Sequence, residues 1–384
     1  MTDFTKLLTE MIGSRVCGRG IEKVAVTRED MFGLYNLAKA HDLAHLLYDA
    51  LCAAGAEPEG ELAEQLKKQK YTAIYRHELL RVSFEAARAA LEAAEIDFLP
   101  LKGTVLRGYY PEAWMRTSCD IDLLVREGDV QGAIDALGGI GFEVMGRTTH
   151  DVGLRTKNGT RIELHYTLVE DDRANACSET LKAVWDHSSL ADGSGHMYKM
   201  TDSMFYFYHV AHMAKHIEEG GCGIRPFLDM WILNHRTTGN ENGRRSLLEQ
   251  GNLLRLAEVC RELSEVWFDD GEHTDTTLRL QSYIITGGVY GSTENKVAVN
   301  YTKKGGKVSY MLSRIFVPYE KLKLVYPALE NKPLLTPIYQ IKRWARIIRR
   351  SGLKRLRNEM RATSHQSDDR TRGVKEFLSE IGID

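Results

Sequence analysis

The apolar pattern of this 384-residue chain changes period near Ile96 and again after Trp185, and that interruption constrains the fold most. From Thr5 to about Glu95, apolar residues recur three and four apart, as on one face of a helix. FGLYNLAKAHDLAHLLYDALCAAG keeps that spacing until Gly55, a residue suited to a helix C-terminal cap. LAEQLKKQKYTAIYRHELLRVSFEAARAALEAAE is a longer amphipathic stretch, one long helix or two joined ones. From Ile96 the elements shorten. IDFLPLKG is an apolar run closed by glycine, TVLRGYYPEAW is helix-like, CDIDLLV is a strand, and VQGAIDALGGIGFEV is a helix entering a strand. HDVGLRT and TRIELHYTL alternate on either side of Lys157-Asn158-Gly159, and Asn-Gly between alternating segments signals a β-hairpin. After Trp185 helical spacing returns, with a glycine-bearing turn at Gly220 to Gly223. The expectation is an α+β fold, a small mixed sheet flanked by N-terminal and C-terminal helical regions. Its divisions are a helical region over 1–95, an α/β core over 96–185, a helical domain over 186–340, and a basic helix and tail over 341–384.

Composition narrows the function classes. With 43% hydrophobic and 27% charged residues, the chain can bury a core. A formal net charge of −2 exerts no global pull on nucleic acid or anionic membrane, so nucleic acid is not a favoured partner. No run of about 18 apolar residues is free of charge, which argues against a membrane span. The first twenty residues lack a long apolar core, unlike a signal peptide. The six cysteines are scattered without zinc or redox spacing, as expected of reduced thiols in a cytoplasmic protein.

The chemistry concentrates on two strands. Alternation puts Asp120, Asp122 and Leu124 on one face of CDIDLLV and Ile121, Leu123 and Val125 on the other. Two carboxylates about 7 Å apart along a strand repel and raise each other's pKa unless a cation sits between them. Mg²⁺ (or Mn²⁺) suits such a site, with its preference for one or two carboxylates plus substrate phosphates. In TRIELHYTL, Arg161, Glu163 and His165 share a face, and Glu163 completes a three-carboxylate cluster if the strands lie side by side. Such a cluster can hold two ions about 4 Å apart, activating an attacking hydroxyl and steadying a leaving pyrophosphate. Lys102, Gly103 and Thr104 stand at a strand-to-helix turn, where glycine admits a phosphate, lysine adds a cation and threonine a hydroxyl.

LKGTVLRGYYPEAWMRTSCDIDLLV, then GF, then the hairpin ending IELHY, resembles the uncharacterised bacterial nucleotidyltransferase family of the DNA polymerase β superfold. The matching positions are Lys102, Gly103, Arg116, Asp120, Asp122, Glu163 and His165. HMAKHIEEGGCGIRPFLDM is similar to that family's His-x-x-Lys-His helix, glycine turn, Arg and Asp. The resemblance implies transfer of a nucleoside monophosphate from an NTP such as ATP to an acceptor hydroxyl or phosphate of a small molecule, glycan or protein. It makes Asp120 and Asp122 shared metal ligands, Glu163 a second-metal ligand and base, and Lys102, Gly103 and Thr104 the triphosphate grip.

Other residues carry competing readings. Arg116 and Arg225 suit nucleotide contact, but Arg116 equally suits a structural salt bridge to the acidic strand, and Arg225 with Asp229 an ion pair pinning two helices. His165 could orient Glu163 or bind acceptor, against the commoner fate of a structural histidine. His209, His212 and His216 share a helix face beside Lys215; packing or phosphate contact outweighs zinc, since no thiolate or carboxylate stands at ligand spacing within the helix. The basic run from Lys342 to Arg361 reads as a solvated helix face before an RNA surface. A nucleotide-binding regulator without turnover is the alternative function. A D-x-D glycosyltransferase would need a larger α/β sheet upstream, where the pattern is helical.

Overall fold

The computed structural model describes residues 3–20, 26–169, 175–289, 291, 295–297, 299, 315–349 and 368–383. Four helices open the chain: α1 (Phe4–Val16), α2 (Arg28–Ala40), α3 (Ala44–Ala53) and α4 (Gly60–Ala93). The first apolar run divides into α2 and α3 because Asp42 turns into a left-handed conformation with φ of 56°. Gly55, with φ of 73°, follows the end of α3 as a C-terminal cap does. α4 is a single helix of 34 residues, which resolves the choice between one long helix and two.

The α/β part runs β1 (Phe98–Pro100), α5 (Lys102–Leu106), β2 (Ile121–Val125), α6 (Val130–Gly139), β3 (Glu143–Arg147), β4 (Asp151–Arg155) and β5 (Arg161–His165). The sheet order is β1-β2-β5-β4-β3, with β2 and β5 parallel and every other pairing antiparallel. The hairpin expected around Asn158-Gly159 is β4–β5, and Gly159 takes φ of 97° in its turn. TVLRGYYPEAW is not one helix. α5 stops at Leu106, and two 3-10 turns at Arg107–Tyr109 and Ala113–Met115 carry the chain past Pro111. That irregular path brings Tyr110 and Arg116 to a buried partner on a later helix.

Strand alternation separates the two sheet faces. Ile121, Leu123, Val125, Val152, Leu154, Ile162 and Leu164 form one core with Leu80, Ala87 and Leu91 of α4 and Ala133, Ile134 and Leu137 of α6. The opposite face carries Asp122, Leu124, Glu163 and His165. Leu99 and Leu124 join it to a second core shared with helices from both ends of the chain.

After α7 (Ala176–Lys182), a ribbon of β6 (Ser188–Leu190) and β7 (Tyr198–Met200) leads to α8 (Asp202–Glu218) and α9 (Arg225–His235). Phe205, Tyr206, Phe207 and Tyr208 are buried in the second core. Between α8 and α9, a Cβ on Gly221 would meet the backbone of Gly291 at 3.3 Å, and one on Gly223 that of Val289 at 3.1 Å. Both glycines have positive φ, so the turn needs glycine for conformation and for space. α10 (Glu241–Gln250), α11 (Leu254–Phe268) and α12 (Asp275–Gly287) follow, with α1 packed on α11. α13 (Tyr319–Val325), α14 (Thr336–Arg349) and α15 (Asp368–Glu380) lie nearer the C-terminus. Lys342 and Arg346 are exposed on α14; the basic run beyond Arg349 lies outside the described residues. No described helix is long and apolar enough to cross a membrane. All six cysteines are unbridged.

Candidate active site

The site forms where the β1–α5 turn meets β2. The Leu101 amide donates to the Asp122 carbonyl at 3.0 Å, tying the turn to the strand. Lys102 follows in a left-handed conformation, φ 42°, which costs a non-glycine residue about 1–2 kcal/mol. Its Nζ donates to Asp122 Oδ1 at 2.9 Å. His165, on the adjacent strand, donates from Nε2 to the same oxygen at 3.2 Å. Burial alone would raise the pKa of Asp122. Lys102 and His165 outweigh it and hold the carboxyl well below its usual range.

Glu163 stands opposite Asp122 in the parallel register of β2 and β5. Side chains at matched positions of neighbouring strands share a face, so both carboxyls leave the sheet together. Ligand atoms of Asp122, Glu163 and His165 all lie within 4.8 Å of one another. Burial, then the charges of Asp122 and Asp120, push Glu163 from 4.5 to about 7. Asp120 precedes β2 and is half-buried; burial, then Asp122, raise its pKa. Asp120 stands outside the tight group, whose third member is His165.

This donor set fits a hard divalent cation. Its oxygens belong to acids of which two are held above their ordinary range by burial and like charge, and a cation among them removes that penalty. His165 uses Nε2–H on Asp122, so as it stands it orients the carboxylate and offers no lone pair from that atom.

The turn differs from a phosphate loop in detail. α5 is one short turn, too brief for a strong helix dipole. A Cβ on Gly103 would meet Arg116 Nη1 at 3.0 Å and Ser118 Cβ at 3.2 Å, so this glycine makes room for a guanidinium. Arg116 grips Asp229 of α9 through Nε at 3.1 Å and Nη2 at 2.8 Å. The Tyr110 hydroxyl donates to the same carboxylate at 2.7 Å. The pair is buried, and it joins Arg116 to α9 and not to the acidic strand where a salt bridge was expected.

Residues 27–269 match the model of a family described as "Uncharacterised nucleotidyltransferase". The chain belongs to this family. Comparison with curated proteins and with solved structures gives no match. The matched stretch runs from the start of α2 to the end of α11 and contains the whole acidic cluster. The protein is thus a nucleotidyltransferase by family, with a nucleotide as substrate.

The other residues expected at the site lie around the acidic cluster, each with its own partners. Arg225 donates from Nη1 to Asp42 Oδ2 at 2.7 Å and to Thr117 Oγ1 at 3.1 Å, so it braces the α2–α3 turn against the loop before β2. His209 Nε2 donates to the Pro226 carbonyl at 2.9 Å. His212 and His216 pair with each other through their Nε2 atoms at 3.1 Å. With His209 turned away, the three rings do not converge. Burial, then Lys102, lower the pKa of His212; burial, then Lys215, bring His216 to about 4, so both are neutral near pH 7. Burial also lowers the pKa of Lys215, which stands in the field of Glu219, Lys102 and Glu163. Three neighbours of the site are not among the residues expected there, and one of them, Tyr208, reads from the sequence as core. Tyr208, His150 and Asp151 all border the cluster, with the His150 ring stacked 6.1 Å from that of His165. The alternation of HDVGLRT against TRIELHYTL was the available signal for Asp151, which pairs with His165 in register.

Another mixed group, His235, Glu265 and Asp269, lies at the surface, with Nε2 3.6 Å and 3.4 Å from the two carboxylates.

Proposed function

We propose that the chain transfers a nucleoside monophosphate from an NTP to an acceptor, with Asp120, Asp122 and Glu163 holding Mg²⁺ (or Mn²⁺). The register Asp122↔Glu163 carries this reading, because it puts two carboxyls on one sheet face, with Asp120 near enough for its charge to act on Glu163. Divalent cations supply charge neutralisation for the triphosphate and lower the pKa of an attacking hydroxyl. The acceptor oxygen bonds to the α-phosphorus as the bond to the β-phosphate oxygen breaks, and pyrophosphate leaves. Glu163, on the same face, takes the acceptor proton. Lys102 and Thr104 would take the triphosphate, and His165 keeps Asp122 in position. Lys215, His212 and His216 line the acceptor side, where a small molecule, glycan or protein hydroxyl enters.

Incubation with each NTP, Mg²⁺ and a panel of acceptors tests the reaction. Acceptor-dependent pyrophosphate release is the expected result; nucleotide binding without release would favour a silent regulator, and nucleoside diphosphate release a glycosyl transfer.

Glu163 also sets a pH dependence. Its raised pKa means the folded chain binds a proton that the unfolded chain has lost between 4.5 and about 7. Stability from this group is therefore full below 4.5 and lost as pH rises through about 7. In EDTA, Tm of the native chain should fall relative to Glu163→Gln between about pH 5 and about pH 8. Parallel Tm curves would show that Glu163 is not under this strain. Turnover with the divalent cation present should decline toward low pH, where protons compete with the cation for the carboxylates.

A further inference from the structure

We propose that Lys102 occupies the acidic pocket as a resident cation, and that its release from Asp122 onto the triphosphate makes metal binding depend on nucleotide. The inference rests on the metal-dependent reading above and adds an order of assembly to it. The Lys102 ammonium lies 2.9 Å from Asp122 Oδ1, with both side chains largely withdrawn from solvent. A divalent ion on the same carboxylate would meet that ammonium at short range in a low-dielectric pocket, so the two cations compete.

The backbone holds the lysine in this position. The Leu101 amide is bonded to the Asp122 carbonyl, and the left-handed φ of Lys102 starts its stem at the edge of β2. Strain of this kind persists where surrounding structure enforces it. Asp122 is buried, so its charge needs a counter-ion before any metal arrives. The ammonium is that counter-ion, aided by His165. A lysine stem is long and flexible, unlike a planar guanidinium, and can swing from a carboxylate to a phosphate above the turn. The incoming triphosphate offers the ammonium another anion, vacates Asp122 and brings its own metal-binding oxygens. Metal alone therefore binds weakly, metal with nucleotide binds well, and the coupling is reciprocal.

Mn²⁺ titration, read by the electron paramagnetic resonance of the free ion, tests this on the native chain, Lys102→Met and Lys102→Arg. Each is titrated alone and with the α,β-methylene analogues of the four common NTPs. Without nucleotide, Lys102→Met should bind Mn²⁺ about tenfold more tightly than the native chain, and Lys102→Arg should stay near native. Lys102→Met should also bind the analogues more weakly and lose most of the coupling. A lysine that merely props the fold predicts weaker Mn²⁺ binding in Lys102→Met, in step with a lower Tm. Lys102→Gln serves the same comparison should the methionine variant fail to fold. Unchanged or weaker Mn²⁺ binding in the uncharged variants, with nucleotide-supported binding retained, overturns the role of Lys102 and leaves the metal site standing. Absence of Mn²⁺ binding by every folded protein with every analogue overturns the metal-dependent reading, and this proposal with it.

Discussion

Asp120→Asn should lower nucleotidyl transfer by about a thousandfold or more, with Tm within a few degrees of the native value. Phosphoryl-type transfer depends on positioning and charge neutralisation, so removing one metal-binding charge acts directly on the transition state. The fold loses little because Asp120 is half-buried and its pKa is raised by burial, then by Asp122. Replacing it with a neutral isostere relieves repulsion. Asp122→Asn differs, since the same change takes a counter-charge from Lys102 and an acceptor from His165. That variant should lose both turnover and stability. Steady-state pyrophosphate release and thermal melts on the two variants separate the effects. Full activity in Asp120→Asn would remove it from the site.

Asp229→Ala should destabilise the chain by about 3–5 kcal/mol, a large fraction of the roughly 5–15 kcal/mol that holds a typical domain together. Asp229 is almost fully buried and carries three donors: Arg116 Nε and Nη2 and the Tyr110 hydroxyl. Without it a buried guanidinium has no counter-charge, which costs more than the pair itself contributes. Arg116 belongs to the loop before β2 and Asp229 to α9, so the pair fixes the acidic strand against the helical layer. Urea denaturation reads the loss as a lower midpoint. A midpoint shift worth less than about 1 kcal/mol would mean that the ion pair is not what joins the two layers.

The sheet was legible where chemistry and burial divided the strand faces. CDIDLLV can bury Ile121, Leu123 and Val125 only by turning Asp122 the other way, and Asn158-Gly159 fixed the hairpin beside it. Alternation alone does not specify a neighbour, so the parallel pairing of Asp122 with Glu163 needed the fold. Long-range partners were hidden for the same reason. Lys102 reads as a phosphate cation from its turn, yet it sits on Asp122 across the β1–β2 pairing. Arg225 with Asp229 reads as an ion pair between helices, yet the carboxylate it meets is Asp42, far earlier in the chain, while Asp229 takes Arg116. Gly103 reads as a glycine that admits a phosphate, and the group packed against it in the fold is the Arg116 guanidinium. TVLRGYYPEAW has helical spacing, and tertiary demand breaks it: Tyr110 and Arg116 can both reach Asp229 only from an irregular backbone.

Soaking crystals with Mn²⁺ and a non-hydrolysable NTP, then recording anomalous scattering at the manganese edge, tests the central claim most directly. The account predicts an anomalous peak bounded by Asp120, Asp122 and Glu163, with the triphosphate against it and the Lys102 ammonium moved off Asp122. Nucleotide bound with no anomalous signal among those carboxylates, and Lys102 still on Asp122, would contradict it.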